Sequence, residues 1–495
     1  MFIAMTQTLR STFHAPRLFG AALAACVLLV STVAALATPA PAAAVRGAEV
    51  SIMDDQLLLN ASEAEIDKEM ALFSAMGIER LRVSAFWNQI APDALSRDKP
   101  AGFDAADPSD PRYAFRPLDR VIAGASRHGI RIMLTISTPV PVWASGNPER
   151  DNPVWKPRPV EFAAFTTALV KRYADSVDHW GISNEPNRAA WLQPQADRRG
   201  RLISPHLYRG LVHAAYPRIK ELDPDSVALV GELAATGSRD ARGATAHQRP
   251  LRFLRAMACR DRANRFLRSP RCKGFRPVPA DAVGHHPYQL LLSPTHRSED
   301  RDDAAINDGR RLLGAIDRLT RVGAIKSGTG RRLNVFYTEF GYQTNPPDPF
   351  AGVSLAKQRR YLQQAAYLVW RTPRIRGLNQ FRLTDGALDG FGANRFREFQ
   401  SGLLFRNRRP KPAFRVFRHP FVITGDRFWG HVRPGGAHSV RVEYRRRPNA
   451  RFRLVAQLLT NERGYFSRRL PGRNPGQYRY RYTEPAGTSA VLTVR

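Results

Sequence analysis

Between about residue 48 and about residue 415, short apolar runs alternate with helix-length amphipathic segments. The first run, residues 50–53, precedes a segment that opens at Ser62 with Glu65 three positions on. That spacing predicts a capping box, in which each side chain satisfies a backbone N–H of the other residue. Ile66, Met70 and Phe73 continue as one helical stripe, and Gly77 ends it. Residues 81–86 are the second run, followed by a helix over 117–129 with Leu118, Val121, Ile122 and Ala125 on one face. A third run covers 130–136, and the helix after Pro159 carries Phe162, Phe165, Leu169 and Tyr173. The fourth, 177–183, leads to a helix with Ser204 as its expected cap and Pro205 in its first turn. Runs at 227–230, 280–284, 333–337 and 377–381 complete the series, the last preceded by a helix over 354–370. Eight strands alternating with helices predict an α/β chain closed into a parallel (β/α)8 barrel, a TIM barrel. An open doubly wound sheet competes, but no glycine-rich phosphate loop follows the first strand.

Beyond Phe414 the period changes. Short alternating runs at 421–423, 428–432, 440–444, 452–459, 478–482 and 491–494 are separated by turn signals such as Pro434-Gly435-Gly436 and Pro471-Gly472. They predict a C-terminal all-β sandwich-like domain over 419–495, behind a barrel domain over 45–418. The first 44 residues hold no Asp or Glu, and Arg10 and Arg17 precede an apolar stretch that runs into Ala42-Ala43-Ala44. That order is that of an export signal, and ~20 apolar residues also suffice for an N-terminal membrane anchor if uncleaved. A secreted or extracellular protein is therefore expected.

The net charge of +33 raises a polyanion partner. The basic residues are mostly arginines scattered along the chain, however, with no basic tail and no helix-turn-helix, zinc-finger or RNA-binding signature, so no nucleic-acid partner is expected. Charge spread over solvated faces is the expectation, and a continuous basic surface built from Arg239 to Arg276 is its alternative. Of three cysteines, Cys26 lies in the N-terminal segment, which leaves Cys259 and Cys272 in an arginine-rich excursion over 237–279. Export favours a disulfide between them. The cysteine and histidine spacing fits no zinc pattern, so neither a metal nor a cofactor is expected.

Active sites of such barrels sit at the carboxyl ends of the strands. Two acids end apolar runs there, in Trp180-Gly181-Ile182-Ser183-Asn184-Glu185-Pro186-Asn187 and in Val335-Phe336-Tyr337-Thr338-Glu339-Phe340-Gly341. A carboxylate in such a position is costly to desolvate without a partner or a task. Asn-Glu-Pro after the fourth strand, with Thr-Glu-Phe-Gly after the seventh, resembles the clan A glycoside hydrolases. The family 5 cellulase-like and family 39 xylosidase-like enzymes are the nearest in kind, over about residues 48–415. The resemblance implies Glu185 as acid/base and Glu339 as nucleophile of a retaining mechanism, whose carboxyls stand about 5–5.5 Å apart. It also implies Asn184 on the sugar 2-hydroxyl. Strand six ends His285-His286-Pro287-Tyr288, where the family's His-x-Tyr pattern matches His286, facing the sugar, and Tyr288, donating to Glu339.

Arg82, on the same face of the second strand as Ser84 and Phe86, is the expected cation beside Glu339, or else a structural ion pair inside the barrel. Trp87, Trp143 and Trp191 follow strands two, three and four and are candidate walls for stacking sugar rings, or packing residues. The chain departs from the family at the end of strand eight, where Asn379-Gln380-Phe381 holds no tryptophan. Glu232, ending strand five, is the one rival acid, with a structural or substrate-contact role expected. The expected function is an exported, monomeric retaining glycoside hydrolase acting on a poly- or oligosaccharide. A catalytically silent barrel binding glycans or an anionic cell-surface polymer is the alternative from another class, and a transglycosylase would use the same residues.

Overall fold

The computed structural model describes residues 47–494 apart from 471, 473, 484 and 485, so the export segment read over residues 1–44 lies outside the described residues. Among the described residues no helix is long and apolar enough to cross a membrane. Eight parallel strands close a barrel: β1 (Glu49–Met53), β2 (Arg80–Phe86), β3 (Arg131–Ser137), β4 (Val177–Ile182), β5 (Val227–Ala234), β6 (Ala282–His286), β7 (Asn334–Phe340) and β8 (Ile375–Phe381). Neighbours in the chain are neighbours in the barrel, and β8 closes on β1 with Glu49 opposite Gly377 and Met53 opposite Phe381. Around it run α1 (Glu63–Ala75), α2 (Arg116–Arg127), α3 (Pro159–Tyr173), α4 (Ser204–Leu222), α5 (Pro250–Met257), α6 (Gly309–Arg321) and α7 (Leu355–Trp370).

Strand alternation sorts the side chains. In β2, Leu81, Val83 and Ala85 join the apolar layer that Ile66, Met70 and Phe73 of α1 complete, while Arg80 and Arg82 point into the barrel. The capping box of α1 forms as expected: Ser62 N–H donates to Glu65 Oε2 at 2.8 Å and Glu65 N–H to Ser62 Oγ at 3.3 Å. Ser204 is not the cap of α4. It is already helical, and its hydroxyl donates to Gln195 Oε1 at 2.8 Å instead of closing the helix end.

β5 runs four residues past the apolar stretch that marks it. Gly231 and Glu232 both have positive φ, 105° and 45°, and the register shifts between Gly231 and Leu233. This bulge turns Glu232 into the barrel, where plain alternation would not have kept a charged residue. Strand six, read over 280–284, begins in the barrel at Ala282, and Val278–Ala280 pairs outside it with Ile325–Ser327. α5 escapes a sequence reading because arginines interrupt its buried face of Leu251, Phe253, Leu254 and Met257.

The C-terminal strands are β9 (Phe421–Thr424), β10 (Arg427–His431), β11 (Ser439–Arg445), β12 (Arg453–Leu459), β13 (Tyr465–Arg469), β14 (Gly476–Thr483), β15 (Ala486–Thr488) and β16 (Leu492–Val494). One antiparallel sheet has the order β9-β10-β13 and the other β12-β11-β14-β15, with β16 on the free end of β14. Tyr478, Tyr480 and Tyr482 of β14 bury against Phe421, Phe428 and Phe466 of the facing sheet, while Arg479 and Arg481 face away, so the module is a sandwich. β13 went unread because only Tyr465 and Phe466 are apolar. Trp429, fully buried, packs between Tyr367, Trp370 and Tyr465, and the Tyr465 hydroxyl donates to Ala48 O at 2.7 Å. The sandwich thus rests on α7 and the amino end of β1, at the pole of the barrel opposite the strand ends that carry the acids.

In the excursion after β5, a disulfide joins Cys259 to Cys272, with Cα atoms 5.8 Å apart and both side chains buried. It closes a loop with a sequence separation of 13. Restricting a loop of that size in the unfolded chain is worth about 2–3 kcal/mol. Replacing both cysteines by serine is expected to lower the free energy of unfolding in urea by that amount. An unaltered midpoint would show that the loop is held by its other contacts alone.

Candidate active site

The carboxyl end of β4 is not relaxed. Ser183 and Glu185 have φ of 67° and 36°, a region that costs a non-glycine residue about 1–3 kcal/mol. The turn is fixed by Glu185 N–H donating to Glu232 O at 3.1 Å and by Asn187. The buried Asn187 amide donates to Ala234 O at 3.0 Å and Gln248 O at 2.8 Å and accepts from Ala234 N–H at 3.0 Å. Asn187 thereby locks the turn carrying Glu185 to the end of β5, a role that its place in the motif did not reveal.

Arg82 stands at the centre, fully buried. Nε donates to Thr135 Oγ1 at 3.2 Å; one terminal nitrogen donates to Glu339 Oε1 at 2.9 Å and to Met53 Sδ; the other donates to Asn184 Oδ1 at 2.7 Å and Glu232 Oε2 at 2.6 Å. All five guanidinium hydrogens are used. Burial works against its charge, yet Glu232 and Glu339 outweigh burial and raise its pKa further. Room for Glu232 comes from two strand glycines. A Cβ on Gly181 would lie 2.4 Å from Glu232 Oε1, and one on Gly284 would lie 2.6 Å from its Cγ. Locked between Arg82 and Thr135 with no exposed surface, Glu232 is a structural anion rather than a rival catalyst.

Glu185 and Glu339 come together. One oxygen of each, and one ring nitrogen of His286, lie within 4.8 Å of one another. Glu339 receives Arg82 on Oε1 and the Tyr288 hydroxyl on Oε2 at 3.0 Å, the partner expected of Tyr288. Burial and the charge of Glu339 hold Tyr288 well above the usual phenol range, so it stays a donor. Glu185 has no such cation in contact. Its Oε1 meets His286 Nδ1 at 2.9 Å, and burial raises its pKa against the weaker opposing pull of Arg188, Arg82 and His247. His286 is itself buried and held down to about 4, so it is neutral and pressed on Glu185 more than turned to a sugar. His285 points the other way, to Ala304 O at 2.6 Å, and has a packing role. The oxygens and His286 nitrogen could in principle surround a metal ion, but the guanidinium 2.9 Å from Glu339 already supplies the positive charge there.

Two of the three tryptophans require correction. Trp87 is fully buried, stacked on Phe165 at 5.2 Å and edge-on to Trp143 at 6.2 Å. Trp143 is 1% exposed and spends its indole N–H on Pro92 O. Both are packing residues under the β2 and β3 loops and cannot wall a cleft. Trp191 is half-buried and stacks on the half-buried Phe86 at 6.4 Å, at the ends of β4 and β2. Where strand eight lacks a tryptophan, Phe381 packs edge-on to Phe399 at 5.4 Å, and both meet Tyr288. Phe399 keeps 40% of its surface exposed, so this cluster supplies an open aromatic face beside Glu339.

One acid was missed. Asp55 follows β1 and accepts Ser84 N–H on Oδ1 at 3.3 Å, while its buried Oδ2 has no partner among the described residues. It lies in the field of both Arg82 and Glu339. The doublet Asp54-Asp55 after an apolar strand was the available signal. Its first member caps the next turn by accepting Leu57 N–H and also receives Leu383 and Thr384 N–H, which fixes the loop after β8.

No family model matches the chain. Solved structures similar to it include a family 1 β-glucosidase from Thermotoga maritima (12% identity, covering 74% of this chain and 95% of that one, TM-score 0.46). They also include a glucosidase from Croceicoccus marinus (11%, 81% and 88%, TM-score 0.46) and an exo-β-1,4-mannosidase from Opitutaceae bacterium strain TAV5 (15%, 76% and 59%, TM-score 0.44).

Burial pushes the Asp55 carboxyl up to about 7, opposed by Arg82 and reinforced by Glu339. The folded protein then keeps a proton that the unfolded chain releases near pH 4, so stability falls as pH rises from about 4 to about 7. Asp55→Asn is expected to flatten that decline, by at most about 4 kcal/mol across the interval. Urea unfolding at four pH values checks this, and equal slopes in both proteins would show that Asp55 ionises normally.

Proposed function

We propose that this protein is a retaining glycoside hydrolase that cleaves O-glycosidic bonds of a poly- or oligosaccharide by double displacement, and that the segment before the barrel exports it. The observation that carries this reading is one pair of glutamates with an oxygen of each within 4.8 Å of the other, one paired with a buried cation and the other not. The spacing suits direct attack on the anomeric carbon. An inverting pair, about 6.5–9.5 Å apart, would leave room for an intervening water.

Arg82 and the Tyr288 hydroxyl hold Glu339 in place, and its free lone pairs attack C1 of the sugar. Glu185, whose carboxyl is raised by burial towards the protonated form, gives its proton to the departing glycosidic oxygen as that bond breaks. The leaving sugar departs and a water takes its place. Glu185, now ionised, removes a proton from that water as its oxygen attacks C1 and frees Glu339. Arg82 fixes the Asn184 carbonyl, which turns its amide hydrogens towards the 2-hydroxyl of the sugar. Trp191 with Phe86 on one side, and Phe399 with Phe381 on the other, offer aromatic faces for sugar rings.

Glu339→Gln is expected to abolish turnover of every substrate, because no covalent intermediate forms. Glu185→Ala is expected to lose about 10²–10⁴-fold with poor leaving groups but little in the first step with activated aryl glycosides, and azide should restore its second step. Product released by the wild type should keep the anomeric configuration, read by NMR at early times. Inverted product, or near-normal activity of both variants, would overturn the assignment. Wild-type rate should fall as pH rises through the raised pKa of Glu185, since the ionised form has no proton to give.

A further inference from the structure

Several arginines of the excursion after β5 are neutralised where they stand: Arg242 pairs with Asp240 at 2.9 Å, Arg255 with Asp302 at 2.7 Å and Arg265 with Asp261 at 2.8 Å. Arg188, which precedes the excursion, stands in a more consequential place. It lies three residues past Glu185 and is tied to it by Arg188 N–H donating to Glu185 O at 2.8 Å. Its half-buried guanidinium has one hydrogen bond, a long one of 3.4 Å to the Thr236 hydroxyl, and no carboxylate partner among the described residues. A half-buried cation without an anion gives up hydration with little return. Beside it, His247 accepts Ala189 N–H on Nδ1 at 3.4 Å, so the ring proton sits on Nε2 and is free to donate. Burial and the charge of Arg188 keep that ring neutral near pH 7.

Arg188 is also the cation that acts most strongly on Glu185, and it acts on His247 and His286 as well. The acid/base faces the leaving group, so the subsite beyond Glu185 receives the sugar that departs. We propose, resting on the hydrolase reading above, that Arg188 and His247 form this leaving-group subsite and that it takes an anionic sugar, one bearing a carboxylate or a sulfate. The planar guanidinium fork donates two parallel hydrogen bonds to either oxyanion, and the imidazole N–H adds a third donor. A bound anion would also cancel the field by which Arg188 favours the ionised form of Glu185, and so help to keep the acid protonated for that substrate.

Two measurements test this on the full chain and on Arg188→Gln, with Arg188→Lys as the variant that keeps the charge. The first compares kcat/KM for aryl glycosides whose leaving group is 4-carboxyphenol or its neutral carboxamide. The second titrates trimers of galacturonate, glucuronate and mannuronate, a sulfated trisaccharide and a neutral one onto the protein by calorimetry. A preference of about 10-fold to 100-fold for charged over neutral ligands is expected, falling towards unity in Arg188→Gln and partly kept in Arg188→Lys. Tight binding of uronates without the sulfated sugar, or the reverse, assigns the oxyanion. Equal treatment of charged and neutral ligands by the wild type, or a preference that survives in Arg188→Gln, overturns the proposal. Uronate or sulfate binding that depends on Arg188, in a protein that hydrolyses no glycoside, would support the anion subsite and overturn the hydrolase reading alone.

Discussion

A guanidinium with no exposed surface sits among the ends of five barrel strands, and the geometry of the cleft follows from having to satisfy it. Burying such a charge costs several kcal/mol unless every hydrogen finds an acceptor, and Arg82 finds them on β1, β3, β4, β5 and β7. Each acceptor is oriented in return. Asn184 must show its carbonyl to the arginine, so its amide faces the cleft. Glu339 is pinned by one oxygen, which leaves the other for Tyr288. A lysine could not make this fork, because its three hydrogens radiate from one atom and cannot reach acceptors on both sides of the barrel. Gly181 and Gly284 belong to the same constraint, since only bare backbone leaves a slot for Glu232, the second anion that Arg82 needs.

The same arrangement separates two chemically identical side chains. Glu339 touches the buried cation and a tyrosine; Glu185, on the next turn of the cleft, touches a neutral imidazole and lies further from any positive charge. Desolvation therefore acts on Glu185 with little compensation, and its proton is held more tightly. The positive φ at Ser183 and Glu185 is the backbone cost of aiming that second carboxyl inward, met by the three hydrogen bonds of Asn187.

Much of this was legible in the sequence where local rules act alone. Apolar runs of strand length, the Ser62–Glu65 box and the shift to short alternating runs after Phe414 depend only on nearest neighbours and emerge as read. The acids at two strand ends stood out because charge interrupts an apolar run. Legibility failed where a residue's role is set across the barrel. Trp87 and Trp191 occupy similar places after strands, yet the first turns down onto Phe165 and the second lies up against Phe86, a choice made by loop packing. The β5 bulge hid Glu232's direction, because alternation carries no mark of an inserted residue. Asp55 passed unnoticed beside Asp54, since a doublet of acids after a strand reads equally as a solvated turn.

The distribution of charge argues that recognition lies on one flank of the cleft. A net +33 could suggest an adhesive surface everywhere, yet several arginines of the excursion meet aspartates a few residues away or across a loop, and serve as clips for segments without regular structure. Such pairs have little far field to offer a polymer, because the opposite charges cancel within a Debye length of about 8 Å. The sandwich cannot supply recognition in the cleft either, since it is fixed through Trp429 to α7 and the amino pole. What remains at the carboxyl pole divides in two. The β8 loop brings the aromatic faces of Phe381 and Phe399 to the side of Glu339, where a ring needs stacking and hydroxyl contacts. The loops after β4 and β5 bring Arg188 and His247 to the side of Glu185, where the Arg188 guanidinium has no carboxylate partner among the described residues. On the proposed reading, a site apolar on one flank and cationic on the other would distinguish the two sugars that flank a bond, and so set direction as well as identity.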